Sequence, residues 1–107
     1  MDGNRRWAKE RFMPAFFGHK AGAENIKKVL KSAKKIGIKY VTLWGLSTDN
    51  IKNRSKEELE YLYSLLDKLP EFFDDMKEDK CKFQFIGDLS LLPEQTRIGL
   101  EKLVFET

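Results

Sequence analysis

Apolar and polar residues recur along this chain with two different periods. Between residues 18 and 36, apolar side chains return every three or four positions, as at Ala23, Ile26 and Ala33, while lysines fall largely on the opposite face. This spacing predicts an amphipathic helix, which Gly37 ends. The lysines are either a solvated face or a track for phosphate groups.

Residues 38–46 are almost continuously apolar and rich in β-branched and aromatic side chains. This composition predicts a strand buried on both faces of a parallel sheet. A second strand is predicted at residues 82–86, where polar and apolar residues alternate, and a last helix is predicted to start with Pro93 in its first turn. The alternation of helices and strands predicts an α/β fold with a parallel sheet and right-handed connections.

A long helix is predicted to start near Lys56, because Ser55 and Glu58 have the spacing of a capping box. Pro70 falls within the apolar stripe of this helix and predicts a kink or a break at residues 66–69. The stripe either packs on the sheet, or lines a cavity or a subunit interface.

Residues 12–17 contain three phenylalanines together with Pro14. Proline is excluded from a helix interior, so this stretch is predicted to be a loop or a short turn with apolar side chains. Those side chains either plug the core or form the wall of an apolar ligand cavity.

The chain has 107 residues, of which 41% are hydrophobic and 35% are charged, and its formal net charge is +3. This length allows a single domain, and this composition excludes a disordered chain. Most lysines are scattered among acids, which argues against nucleic-acid binding. The excess of positive charge better suits an anionic small molecule or an acidic membrane surface.

Cys81 is the single cysteine, which excludes a disulfide framework and a metal cluster of the Cys-x-x-Cys type. We therefore expect a reducing, cytoplasmic location. No apolar run approaches the ~18 residues of a membrane span, and the first residues lack the apolar region of a signal peptide. We expect any membrane contact to be peripheral.

Candidate binding chemistry is concentrated in residues 1–7 and 18–22. The first stretch combines one acid, small residues that let backbone amides approach a ligand, and two arginines; the second places Gly-His ahead of a helix. These residue types suit a diphosphate with a divalent cation. A further polar cluster at 47–50 directly follows the first predicted strand. It is either a plain turn or part of a site, because ligands of α/β sheets bind at the carboxyl edge.

Five motifs, in order along nearly the whole chain, resemble those of the cis-prenyltransferases, such as undecaprenyl diphosphate synthase. They are Met-Asp-Gly-Asn-Arg-Arg-Trp-Ala at 1–8, Gly-His-x-Ala-Gly at 18–22, Gly-Ile-x-x-Val-Thr-Leu at 37–43, Ser-Thr-Asp-Asn at 47–50 and Ile-Gly-Asp at 86–88. The resemblance implies that residues 1–107 are a single partial domain. This domain would be the amino-terminal half of a parallel-sheet, Rossmann-like cis-prenyltransferase fold, truncated at both ends.

The resemblance also implies a function. Members of this family extend an allylic diphosphate, such as farnesyl diphosphate, with isopentenyl diphosphate in a Mg²⁺-dependent condensation that forms cis double bonds. They work as homodimers, and part of their isopentenyl site lies in a carboxyl-terminal region that residues 1–107 do not contain, so we expect this stretch alone to be inactive. The alternative is a non-catalytic partner subunit of a two-component prenyltransferase, although such subunits tend to lose the Asp-Gly-Asn-x-Arg sequence found here.

By the same resemblance, two residues are assigned to catalysis. Asp2 is expected to bind Mg²⁺ and to help the allylic diphosphate leave, and Asn50 is expected, with Ser47, where isopentenyl diphosphate loses its proton. The backbone of residues 3–5 and the guanidinium of Arg6 are expected to hold the allylic diphosphate. The full set of positions assigned to substrate binding is Gly3, Asn4, Arg5, Arg6, Trp7, His19 as a further hydrogen-bond donor, Ser47, Thr48, Asp49 and Arg54.

The chain departs from the family pattern at a few positions. Arg5 replaces a glycine of many bacterial members, and Ala15 stands where many members carry a further diphosphate-binding arginine. Ile51 takes the place of an aromatic residue. Arg54 follows Asn50 one residue later than the matching arginine does in many bacterial members.

Overall fold

Helices account for all of the regular secondary structure in residues 2–77 and 80–107, which are the residues that the computed structural model describes. The chain forms two compact units, Met1–Leu59 and Glu60–Thr107. None of the described helices is long and apolar enough to cross a membrane. In chain order the helices are α1 (Asn4–Glu10), α2 (Ala15–Lys35), α3 (Thr48–Asn53), α4 (Lys56–Asp67), α5 (Leu69–Phe72), α6 (Asp74–Lys77) and α7 (Glu94–Glu106), with a 3₁₀ turn at Leu89–Leu91 before α7.

The predicted parallel sheet is absent from the described residues, so the α/β prediction is wrong. Residues 38–46 and 82–86, the two predicted strands, have no regular secondary structure. A strand exists only where a neighbouring strand pairs with its backbone N–H and C=O groups, and no described segment does this for either stretch. The apolar side chains of the first stretch consequently face solvent, with Tyr40 90% exposed and Trp44 80% exposed.

The predicted ends of α2 and α4 are confirmed, but the predicted start of α2 is wrong. Pro14 takes the N-cap position of α2, so the helix begins at Ala15, and residues 15–17 are helical instead of part of the predicted loop or short turn at 12–17. Gly37 follows the end of α2 with φ at 82°, a left-handed conformation that suits glycine. The break predicted at Pro70 is confirmed, because α4 ends at Asp67 and a separate short helix begins two residues later.

Helix α1 lies against α2 in the first unit, with almost no space between the two backbones. A Cβ atom added at Gly18 would overlap the carbonyl oxygen of Asn4, and one added at Gly22 would lie 2.6 Å from Asn4 Oδ1. Ala8, whose methyl group faces this contact, is completely buried. Only residues without a side chain permit so close an approach at these two positions.

Helix α7 supplies much of the core of the second unit, where Leu100 and Leu103 are buried. The rings of Phe73 and Phe83 pack with their centroids 4.5 Å apart. Phe83 N–H donates to Thr107 Oγ1 at 3.1 Å, and this hydroxyl donates to the Leu103 carbonyl oxygen at 2.9 Å. The irregular segment around Phe83 is thus hydrogen-bonded to the end of α7 through Thr107.

We expect Gly18→Ala to lower the free energy of unfolding of the full-length protein by about 1–3 kcal/mol, because the added methyl group overlaps the Asn4 carbonyl oxygen. Denaturant-induced unfolding measures this loss. Gly99→Ala is the matched control: no atom lies within 4 Å of its added Cβ in α7, so this change is expected to add ~0.5–1 kcal/mol. A Gly18→Ala protein as stable as the wild type would contradict the close contact of α1 with α2.

Candidate functional site

The Asp-Gly sequence forms a tight turn before α1. Asp2 Oδ1 accepts a hydrogen bond from the Gly3 N–H at 2.6 Å. Gly3 has φ at 83° and ψ at 8°, a left-handed conformation that side chains disfavour. A Cβ atom added to Gly3 would lie 3.3 Å from Arg6 Nη2, so the guanidinium folds back over the glycine. A carboxylate and a guanidinium therefore flank one backbone position.

An open cavity of about 750 Å³ shares Arg6 with this turn. Half of its lining residues are cationic and half are apolar, which suits an anionic group joined to a hydrocarbon. Phe12 is 99% exposed, so plugging the core is the wrong interpretation of this side chain, and the wall of a ligand cavity agrees with its position. The lining residues are Arg5, Arg6, Lys9, Phe12, Met13 and Ala15.

Glu58, in the first turn of α4, is the centre of an ionic cluster that the sequence did not reveal. Its side chain is only 8% exposed. Its Oε1 lies 2.8 Å from His19 Nε2 and 3.0 Å from Arg54 Nη1, which are hydrogen-bond distances. The same oxygen lies 3.6 Å from Arg5 Nε, an ion-pair contact. One carboxylate thus joins groups carried by α1, α2 and the end of α3.

The surroundings of Glu58 lower its pKa. Burial raises the pKa, because the charged form loses hydration, but the hydrogen bond from His19 and the positive charges of Arg5 and Arg54 outweigh burial. The pKa therefore lies below the ordinary value of 4.5, and the carboxylate is ionised at neutral pH. An ionised carboxylate only accepts hydrogen bonds, so His19 Nε2 is the donor in this pair.

From the sequence, Glu58 is predicted only to form a capping box with Ser55. The backbone part of that prediction is confirmed, since the Glu58 N–H donates to Ser55 Oγ at 3.2 Å. A signal for the ion pair with Arg54 was present, because the two residues are four apart across the start of a helix. The contacts with Arg5 and His19 join distant parts of the chain and leave no local signal.

Ser47 and Asn50 lie together at the start of α3. Ser47 Oγ accepts from the Asn50 N–H at 3.0 Å, and Asn50 Oδ1 accepts from the Ser47 N–H at 3.2 Å, which makes a capping box. The hydroxyl hydrogen of Ser47 and the amide NH₂ of Asn50 take no part in it and remain as donors. Thr48 and Asp49 occupy the exposed first turn of the helix.

The assigned roles of these residues stay predictions, but the structure shows which of them lie together. Within the described part of the chain, no hydrogen bond or ion pair joins the Ser47 capping box to the turn at Asp2. The backbone N–H of Trp7 donates to the Gly3 carbonyl oxygen at 2.8 Å, and its ring contacts Arg11, whose guanidinium carbon lies 4.1 Å from the ring centroid. The groups are Asp2 with Gly3 and Arg6; Arg5, His19 and Arg54 around Glu58; Ser47 with Asn50; and Asn4 against Gly18 and Gly22.

The metal-binding chemistry of these residues rests on Asp2. The described residues contain no group of three or more His, Cys, Asp or Glu side chains that could hold a metal ion. One oxygen of Asp2 accepts the Gly3 N–H, which leaves the other oxygen for a cation. Mg²⁺ commonly keeps several waters and binds one or two carboxylates together with substrate phosphates. Asp2 therefore fits Mg²⁺ as a single carboxylate ligand of a metal–diphosphate complex.

We expect Glu58 to make the stability of the protein depend on pH under acidic conditions. Because its pKa is lower in the folded than in the unfolded state, the unfolded state binds more protons there, and stability rises with pH. The contribution is complete above the ordinary pKa of 4.5 and is lost as pH falls through the lower folded value. Unfolding free energies of wild type and Glu58→Gln, measured from about pH 3 to 6, should converge on acidification. A constant difference would contradict the lowered pKa.

The chain matches, over residues 1–107, a family model described as "Putative undecaprenyl diphosphate synthase". Over its full length it is 42% identical to an isoprenyl transferase of Bacillus thuringiensis subsp. konkukian, of which it covers 42%. It is 39% identical to an isoprenyl transferase of Lactobacillus johnsonii, of which it covers 45%. The chain thus spans less than half the length of these relatives.

Its backbone is similar to part of lavandulyl diphosphate synthase from Lavandula x intermedia, in a crystal structure with dimethylallyl diphosphate. The TM-score is 0.87 at 34% identity, and the match covers 99% of this chain and 46% of the other. Sequence and backbone comparisons agree. The chain belongs to the prenyltransferase family of undecaprenyl diphosphate synthase.

Proposed function

We propose that the full-length protein condenses isopentenyl diphosphate with an allylic diphosphate, such as farnesyl diphosphate, in a Mg²⁺-dependent reaction that forms cis double bonds. The observation that carries this proposal is the pairing of a carboxylate and a guanidinium around Gly3, beside a cavity lined by both cationic and apolar residues. Relatives named isoprenyl transferases, and a neighbour crystallised with dimethylallyl diphosphate, support the same substrate class.

An allylic diphosphate has two chemical parts that correspond to the two kinds of lining residue. Its diphosphate requires cations, and Arg5, Arg6 and Lys9 supply them. Its hydrocarbon chain requires an apolar surface, and Phe12 and Met13 supply it. The cavity therefore suits a substrate that carries both parts in one molecule better than it suits free phosphate.

Departure of the diphosphate is the step at which charge develops. The allylic carbon–oxygen bond breaks with its electron pair on the diphosphate, the double bond of isopentenyl diphosphate attacks the cation-like carbon, and the new unit then loses a proton. Arg6 stabilises the growing negative charge on the leaving group, since its guanidinium lies over Gly3. Asp2 would hold Mg²⁺, which would supply further positive charge to the same leaving group.

Ser47 and Asn50 are proposed to act on the isopentenyl unit. Their capping box holds both side chains in place at the start of α3, so little conformational freedom is lost when substrate binds. The unused donors, the Ser47 hydroxyl and the Asn50 amide, are available to the diphosphate oxygens. These two residues thus orient the isopentenyl unit for loss of its proton.

We expect Asp2→Ala to lower prenyl transfer by the full-length protein at least ~10²-fold, because a metal ligand that stabilises transition-state charge is removed. The assay is incorporation of isopentenyl diphosphate into a farnesyl diphosphate primer with Mg²⁺, with Glu10→Ala, which removes an exposed acid at the end of α1, as the control for surface charge. Near-normal turnover of Asp2→Ala would contradict its assignment. A wild-type protein that binds the primer and never extends it would instead favour a non-catalytic partner subunit.

We expect Arg6→Ala to weaken binding of the allylic diphosphate about 10- to 100-fold, because a charge-assisted hydrogen bond contributes ~1.5–3 kcal/mol. Calorimetric titration of the full-length protein with farnesyl diphosphate measures the change. Lys31→Ala, which removes an exposed positive charge from α2, is the control for net charge. Equal affinity of wild type and Arg6→Ala would argue against a diphosphate site at this position.

A further inference from the structure

We propose that Glu58 is a positioning residue that holds the cationic groups of both substrate sites on one carboxylate. This inference rests on the proposed function and concerns how the side chains of that same site are positioned. Arg5 lines the cavity assigned to the allylic diphosphate. Arg54 is the C-cap of α3, the helix whose start carries Ser47 and Asn50. Glu58 contacts both arginines, so it couples the two sites.

His19, Arg5 and Arg54 all contact the same oxygen atom of Glu58. Oε1 accepts hydrogen bonds from His19 at 2.8 Å and from Arg54 at 3.0 Å, and it attracts Arg5 at 3.6 Å. The side chain of Glu58 is 8% exposed and that of His19 is 10% exposed, so water competes little for this contact. Buried charge pairs with hydrogen-bonded geometry restrict side-chain motion far more than exposed pairs do.

The two arginines keep most of their donors while Glu58 holds them. A guanidinium has five N–H donors, and Arg5 and Arg54 use one nitrogen each, Nε and Nη1, in the contacts with Oε1. The remaining donors are available to phosphate oxygens. Long side chains that are already ordered lose less conformational freedom on binding, so the contact with Glu58 raises the affinity for a diphosphate through preorganisation.

The charge of Glu58, taken alone, would have the opposite effect on diphosphate binding. Glu58 is negative, so at a fixed geometry it repels a diphosphate, and removing its charge should tighten anion binding. Positioning therefore predicts weaker binding for a neutral residue at 58, whereas charge alone predicts tighter binding. A residue that only stabilised the fold would change the melting temperature without changing the affinity of the folded protein.

The test uses three variants of the full-length protein. Glu58→Gln removes the charge, and Glu58→Asp keeps the charge but withdraws the oxygens by one methylene. Glu57→Gln, at the exposed neighbouring position, is the matched control. Binding of inorganic pyrophosphate without metal is measured by calorimetry below the melting temperature of each protein, and KM and kcat are measured for both substrates.

We expect Glu58→Gln and Glu58→Asp each to weaken pyrophosphate binding about tenfold, as loss of a side chain that orients binding groups commonly does. KM should rise for both substrates, with a smaller change in kcat, and Glu57→Gln should match the wild type. Pyrophosphate binding as tight as in the wild type, or tighter, in either Glu58 variant would overturn the proposal. If one of the two Glu58 variants does not fold, pyrophosphate binding by the other variant tests the proposal.

The same data separate this inference from the proposed function. A wild type without prenyl transfer, together with weakened pyrophosphate binding in the Glu58 variants, would support the positioning role and reject the proposed reaction. An active wild type, together with unchanged pyrophosphate affinity and unchanged KM values in the variants, would reject the positioning role and leave the proposed reaction standing.

Discussion

The contact between the backbones of α1 and α2 is the constraint on which the rest of the first unit depends. The Asn4 carbonyl oxygen occupies the space in which any side chain at position 18 would lie. Because α1 carries Arg5 and α2 carries His19, this contact determines how far these two groups stand from each other. Glu58 can meet both with one oxygen only because the two helices approach so closely.

The ionic cluster leaves an excess of positive charge in a partly buried place. The two guanidiniums of Arg5 and Arg54 already exceed the single charge of Glu58. Removing one partner from a buried ion pair commonly costs ~3–5 kcal/mol, whereas exposed pairs contribute ~1 kcal/mol or less. Arg54 is 24% exposed and Arg5 is 60% exposed, so Arg54 contributes more than Arg5 to stabilising the buried negative charge of Glu58. Arg5 contributes less to the stability of the fold than Arg54, although both contact the same carboxylate oxygen.

Local sequence features correctly predicted where α2 and α4 end, whereas the pairing of distant strands was predicted wrongly. Gly37 and Pro70 act on their own backbone, so their effects can be predicted from the residue alone, but the start of α2 at Ala15 was not predicted from Pro14. The apolar composition of residues 38–46 indicates what the segment would gain by being buried, but it does not indicate whether a partner is present. The described residues offer no partner, and the segment lies open instead of forming a strand.

The same distinction applies to the site. The acid, glycine and arginine of the first residues are neighbours in sequence, and a short turn brings them together, so their proximity follows from local sequence, while their binding of a diphosphate stays a prediction. The role of Ser47 in capping α3 was missed because four polar residues after an apolar run are equally typical of a turn and of a short helix. The residues of the cluster around Glu58 come from separate helices that are distant in sequence. They meet only in the folded protein, so no short stretch of sequence could have predicted the cluster.

The two tryptophans of the chain have contrasting surroundings. Trp7 follows Arg6 directly and lies beneath the guanidinium of Arg11, whereas Trp44 is 80% exposed in the open apolar segment. An indole stacked against a cation responds to changes in that cation's position, while an indole in water responds chiefly to solvent. The fluorescence emission of Trp7 therefore reports on changes beside the candidate site. Replacing Trp44 with phenylalanine removes the emission of the other tryptophan in this chain.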